Sequence, residues 1–258
     1  MLVKRLLLRG LIAVPALVLH IVGSAVAGPA LPIGDAKLRD SRAPAGDPNI
    51  SGVWQVRGAG LRISPAAGGD PPWKPWAEKV FRDRAEDEKK GITRWDPTGA
   101  CYGSGVPRIF TAGYLTEIIQ TEDAIVWIYE SQHVWRIIHM NRKMPEKLEH
   151  NIRGYSVGHW EGDTLVVETA GLSRKGQIDE RGTMMTDNTR LIERIRKVGN
   201  QLENNFTIID PTAYDKPWEG RRQFNYVGGQ GQRIAEYVCE ENNRNVPGPD
   251  GKFITIIK

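Results

Sequence analysis

From Tyr114 onward, short runs rich in Val, Ile, Thr and aromatic residues alternate with clusters of turn residues. The runs predict strands at 115–120, 124–130, 134–140, 155–160, 164–169, 189–198, 202–209, 220–227 and 233–239. An earlier run, 49–56, predicts a first strand. Connectors such as Thr121-Glu122-Asp123, Glu161-Gly162-Asp163 and Gly199-Asn200 are too short for a parallel crossover. The strands are therefore expected to pair antiparallel, as a meander of about ten. An open antiparallel sheet of that size curls or closes, because closure removes exposed edges. The expected fold is all-β: a closed antiparallel barrel, with a two-sheet sandwich as the alternative. The run 124–130 is apolar on both faces, Ile125, Trp127 and Tyr129 alternating with Val126 and Ile128. Its outward face then needs cover from a helix, from the leader or from a second copy in a homo-oligomer.

Residues 76–90 break the two-residue period. Trp76, Val80 and Phe81 share a helical face, with Pro75 before it and Gly91 after it, so one short helix is expected there. Residues 1–27 read as a signal peptide. Lys4, Arg5 and Arg9 precede a short apolar stretch, and Ala25-Val26-Ala27 stands before Gly28 as a cleavage signal. The chain is thus expected to be periplasmic or secreted, with no membrane span once the signal is cleaved. Residues 28–49 read as an extended leader, 50–241 as the barrel domain and 242–258 as a polar tail.

Composition changes this picture little. The formal charge of +4 is inflated by the N-terminal segment. The 35 basic residues less those three stand against 31 acidic ones, a balance of +1 that gives no case for nucleic-acid binding. The two cysteines, Cys101 and Cys239, are most simply read as one disulfide in an exported chain.

Gly52-Val53-Trp54 on the first strand resembles the Gly-x-Trp of lipocalin-like barrels, in which a basic residue from a late strand packs over the Trp. The resemblance implies that role for Arg221 or Arg222. A longer likeness is carried by Cys101 with Gly105-Val106-Pro107-Arg108, by the run Gly158-His159-Trp160-Glu161-Gly162-Asp163-Thr164-Leu165-Val166-Val167-Glu168-Thr169, by the stretch from Asp210-Pro211 to Pro217-Trp218, and by Glu236-Tyr237-Val238-Cys239-Glu240-Glu241-Asn242. Together these resemble a widespread family of exported bacterial proteins. That likeness implies export and a compact β domain, and brings neither an activity nor catalytic residues. The family usually has His-Ser where this chain has Tyr155-Ser156.

Several familiar constellations fail on context. Gly154-Tyr155-Ser156-Val157-Gly158 matches a nucleophile elbow but leads into a hairpin rather than a helix. His133 and His139 lie roughly 20 Å apart on an extended strand, too far to share a metal ion. His159 and Glu161 make at most half a metal site. No metal and no cofactor are therefore assigned. The most suggestive stretch is 127–139. On it, Glu130 and Arg136 are expected to meet across the turn, with His133 as acid or base, Glu130 orienting it and Arg136 stabilising charge. Neither His133 nor Arg136 is expected to belong to the core. Trp54, Trp127, Tyr129, Tyr155 and His159 are the expected substrate-binding side chains.

Two functions remain open at this level. One is an exported, cofactor-independent lyase, dehydratase or isomerase acting on a small hydrophobic or aromatic molecule held in the barrel. The other is a lipocalin-like carrier of a hydrophobic ligand. An interior without a lumen favours a structural role instead.

Overall fold

The computed structural model describes residues 45–242 apart from 59 and 61, together with 245–250 and 253–255. The signal-peptide segment and most of the leader lie outside the described residues. Nine strands close a barrel: β1 (Gly52–Val56), β2 (Leu115–Gln120), β3 (Ala124–Tyr129), β4 (Trp135–Met140), β5 (Tyr155–Glu161), β6 (Thr164–Ala170), β7 (Arg190–Val198), β8 (Gln201–Ile209) and β9 (Trp218–Tyr226). The ring closes where β1 meets β9 antiparallel, with Trp54 opposite Tyr226.

Two expectations are corrected. The barrel has nine strands, not ten, and its sheet is mixed, because β4 and β5 run parallel. The two facts are linked. An odd number of strands cannot alternate direction all the way round a ring, so at least one neighbouring pair must run the same way. Residues 141–154 supply the return that a parallel pair requires. The segment 233–239, expected as a strand, is irregular over 233–238. Once β9 has paired with β1, no free edge is left for it. Beyond it lie a short helix, α2 (Cys239–Asn242), and a separate two-stranded sheet, β10 (Asn245–Pro247) and β11 (Phe253–Thr255). The expected disulfide is present: Cys101 and Cys239 are bonded, with Cα atoms 5.5 Å apart.

The expected helix is α1 (Pro75–Lys89). Pro75 takes the first helical position, where a missing N–H is harmless. The helix packs through fully buried Ala77 and through Phe81, which stacks on Trp73 with ring centroids 4.8 Å apart.

Alternation decides what faces inward. On β4, Arg136, Ile138 and Met140 are buried, whereas Trp135 and Ile137 are 47% and 40% exposed. The interior is filled by large side chains, Trp54, Trp127, Phe206 and Phe224 among them. The two ends of the barrel differ. One is closed by tight turns, with Gly162 and Gly199 at positive φ as such turns require. The other carries α1 and the long loops. Two buried carboxylates order these loops by accepting backbone N–H groups. Asp179 accepts from Ile63 N at 3.0 Å, Arg181 N at 3.0 Å and Thr183 N at 3.1 Å. Asp210 accepts from Thr186 N at 2.8 Å and Ala213 N at 3.1 Å.

Candidate functional site

The packed interior is charged at one point. Arg136 is 2% exposed and Glu193 is fully buried. Arg136 Nη1 donates to Glu193 Oε1 at 3.1 Å, and Nη2 donates to Glu193 Oε2. Arg136 also donates to Ser156 Oγ at 3.0 Å and to Thr169 Oγ1 at 2.6 Å. Asn204 Nδ2 donates to Glu193 Oε1 at 2.9 Å. The five residues come one each from β4, β5, β6, β7 and β8. Burial works against the Arg136 charge, but Glu193 outweighs it and raises the guanidinium pKa. Burial pushes the nearby Tyr129 phenol up.

A plug covers this cluster at the loop-bearing end. All four residues of the 3-10 turn Arg108–Thr111 are buried. Phe110 points into the barrel, its ring 6.4 Å from Trp127 and 5.8 Å from Phe206, with Arg136 Cζ 6.0 Å from its centroid. Arg108 anchors the plug through a two-pronged pair with Asp96, at 2.8 and 2.9 Å, and also donates to Gln177. Burial alone would raise the Asp96 pKa; the hydrogen bonds and charge of Arg108 outweigh it and hold the carboxyl below its ordinary value.

On the outer side of the plug lies a cleft of about 320 Å³, lined by Ser104, Arg108, Thr111, Tyr114, Gln132, Glu180 and Tyr237 among others. Tyr114 and Tyr237 are 44% and 39% exposed, with ring centroids 5.4 Å apart. Thr111 Oγ1 donates to Glu180 at 2.9 Å, and Gln132 Oε1 accepts from Ser104 N at 2.9 Å. A second cleft of about 410 Å³ shares Tyr114 and is lined by Gln55, Glu130, Gln232 and Arg233. The Tyr114 phenol is raised by burial and then by Tyr237, Glu130 and Glu180. Tyr237 stands two residues from Cys239, so the disulfide holds its segment at the mouth.

The residues singled out in the sequence are dispersed by this fold. The expected Glu130–Arg136 pair does not form. Glu130 belongs to the second cleft and accepts from Leu115 N at 3.3 Å, whereas Arg136 pairs with Glu193. The expectation that Arg136 lies outside the core is corrected as well, since its inward parity on β4 buries it. His133 belongs to the turn Ser131–His133, beside the first cleft, and its side chain lies outside the described residues. Trp54, Trp127 and Tyr129 face the interior and are buried. Tyr155 stacks on His139 at 4.6 Å on the outer wall. His159 is exposed and bonds Glu161 at 3.2 Å; among the described residues no group of three or more His, Cys, Asp or Glu side chains is placed to hold a metal ion. The cation over Trp54 is Lys197 of β7, at 5.9 Å, rather than Arg221 or Arg222, which engage Glu203 and Arg62.

Sequence reasoning missed Phe110, Glu193 as the partner of Arg136, and the Tyr114–Tyr237 pair. A signal for the second was available. Glu193 sits at the inward parity of Leu191-x-Glu193-x-Ile195, and Arg136 at that of Arg136-x-Ile138-x-Met140. A charge embedded in an apolar row requires a buried counter-charge.

No protein-family model and no curated protein matches the chain. Solved structures similar to it include a secretary abundant heat soluble (SAHS) protein from Ramazzottius varieornatus, at 11% identity and TM-score 0.32, covering 69% of this chain and 95% of that one. Another is the zebrafish ileal bile acid-binding protein complexed with cholic acid, at 12% identity and TM-score 0.34, covering 69% and 98%. A third is a luciferase domain from the dinoflagellate Lingulodinium polyedrum, at 13% identity and TM-score 0.34, covering 84% and 57%. The barrel assignment rests on the strand pairing itself rather than on these likenesses.

Proposed function

We propose that this chain binds a small, largely apolar molecule bearing an aromatic ring and a hydrogen-bonding group, at the plugged mouth of its barrel. One observation carries the reading. The mouth cleft combines two part-exposed tyrosine rings with polar side chains that the strand ladders do not use, in a volume of about 320 Å³. Small-molecule sites are concave, mix apolar walls with a few placed polar groups, and start at roughly this size. Among the described residues the interior is filled with aromatic and aliphatic side chains, which corrects the expectation of a ligand held inside the barrel. A structural module would share that packing, and the binding reading rests on the mouth cleft alone. The test is organic extraction and native mass spectrometry of purified protein, followed by titration of the recovered compound. Tyr114→Ala and Tyr237→Ala are each expected to weaken binding at least tenfold with little change in melting temperature. Unchanged binding in both variants refutes the site.

Acid/base catalysis at the same mouth is the second reading. It is favoured by the Glu130 and Glu180 carboxylates beside the Tyr114 phenol. Loss of turnover of the bound compound in Glu130→Gln, with binding retained, would establish it. Export is proposed with either reading, supported by the Cys101–Cys239 disulfide. Sequencing of the mature N-terminus tests it, with Gly28 expected as the first residue.

A further inference from the structure

We propose that a basic groove distinct from the mouth binds an organic anion carrying an aromatic ring. The groove measures about 410 Å³ and is lined by Arg84, Arg94, Trp95, Tyr102, Arg174 and Lys175 among others. It lies across the 3-10 turn Pro97–Ala100 from the mouth cleft: Thr98 lines the one and Pro97 the other. Four cationic side chains reach it, and among the described residues no carboxylate lines it.

The four cations are not equally committed. Arg174 is paired with Asp187 at 2.6 Å. Arg84 donates to Gly182 O at 2.6 Å and lies over the Trp95 ring, Cζ to centroid 5.6 Å. Arg94 and Lys175 are exposed, and neither forms an ion pair among the described residues. A concave wall lined by one sign of charge concentrates counter-ions. Two uncommitted cations on such a wall suit a carboxylate or sulfonate.

The aromatic side chains define the rest of the ligand. Tyr102 is 41% exposed and supplies an apolar wall. The Trp95 ring, with Arg84 over it, supplies a second apolar wall. A ring with an anionic substituent satisfies all three features, whereas a bare inorganic anion satisfies only the charge.

The experiment is calorimetric titration of the full chain with 1-naphthoate, with neutral 1-naphthamide and with inorganic phosphate, at low and at raised salt. Naphthoate is expected to bind below about 5 mM. The amide and phosphate are each expected to bind at least tenfold more weakly, and the naphthoate affinity to fall as salt rises. The exposed pair Arg94→Gln with Lys175→Gln is expected to weaken naphthoate binding at least tenfold at an unchanged melting temperature. Naphthoate binding that the amide or phosphate matches, that survives the double substitution, or that is absent over this range overturns the proposal.

Discussion

Glu193→Leu would strand the Arg136 guanidinium in the barrel with only the Ser156 and Thr169 hydroxyls for partners. Arg136→Met would do the converse, leaving a fully buried carboxylate that accepts only from Asn204. Removing one member of a buried ion pair costs about 3–5 kcal/mol, because the survivor has lost both its counter-ion and water. Domains of this kind are stable by about 5–15 kcal/mol, so either change removes about a fifth of the total or more. The double variant, Arg136→Met with Glu193→Leu, removes both charges. Ser156 and Thr169 then still bond each other at 2.9 Å, and the chief residual penalty is an Asn204 amide without its acceptor. It is expected to be less destabilised than either single variant, giving a coupling of about 3 kcal/mol or more. Urea unfolding followed by tryptophan fluorescence reads all three. If Glu193→Leu cost under about 1 kcal/mol, or if the two single effects simply added, the pair would not be the electrostatic centre of the barrel.

Asp179→Asn is expected to cost about 2 kcal/mol and to loosen the loop-bearing end, seen as faster amide exchange at Ile63 and Thr183, because the charge on three backbone N–H bonds is lost. Ser in place of both Cys101 and Cys239 is expected to lower stability by roughly 3–5 kcal/mol, read by urea midpoint, since the bond closes a loop of 138 residues. Gly105→Ala places a Cβ 2.1 Å from the Ile152 carbonyl oxygen, a backbone atom that cannot step aside. A loss of about 2 kcal/mol is expected. The Asp96 carboxyl is held below its ordinary value of 3.8, so its stabilisation is fully present above that value and is lost as the pH falls through the folded pKa. As the pH falls below 3.8, the parent is therefore expected to lose more stability than Asp96→Asn.

Most strands were legible because each repeats an inward apolar residue at every second position, as β3 does with Ile125, Trp127 and Tyr129. The helix was legible because Pro75 and Gly91 bracket it. The parallel pair was not, since residues 141–154 carry turn chemistry but nothing that states their direction. The segment 233–239 has strand-like composition, and only closure of the ring elsewhere denies it a partner. The mouth was the least legible part. Tyr114 and Tyr237 are 123 positions apart and meet through a disulfide and a plug, both of them long-range outcomes of the fold.

The parallel junction gives the barrel a mechanical fault line. Its ladder runs only from Ile138 opposite Ser156 to Met140 opposite Gly158, whereas the β7–β8 ladder runs from Arg190 to Val198. Parallel bonds are slanted and hold slightly less per residue. Yet Arg136, two residues before that ladder begins, reaches across the same junction to Ser156 and on to Thr169 and Glu193. The guanidinium acts as a rivet through one of the short seams, joining four neighbouring staves where the backbone stitches are few. A charge that alternation forces into the interior thereby holds the cylinder shut.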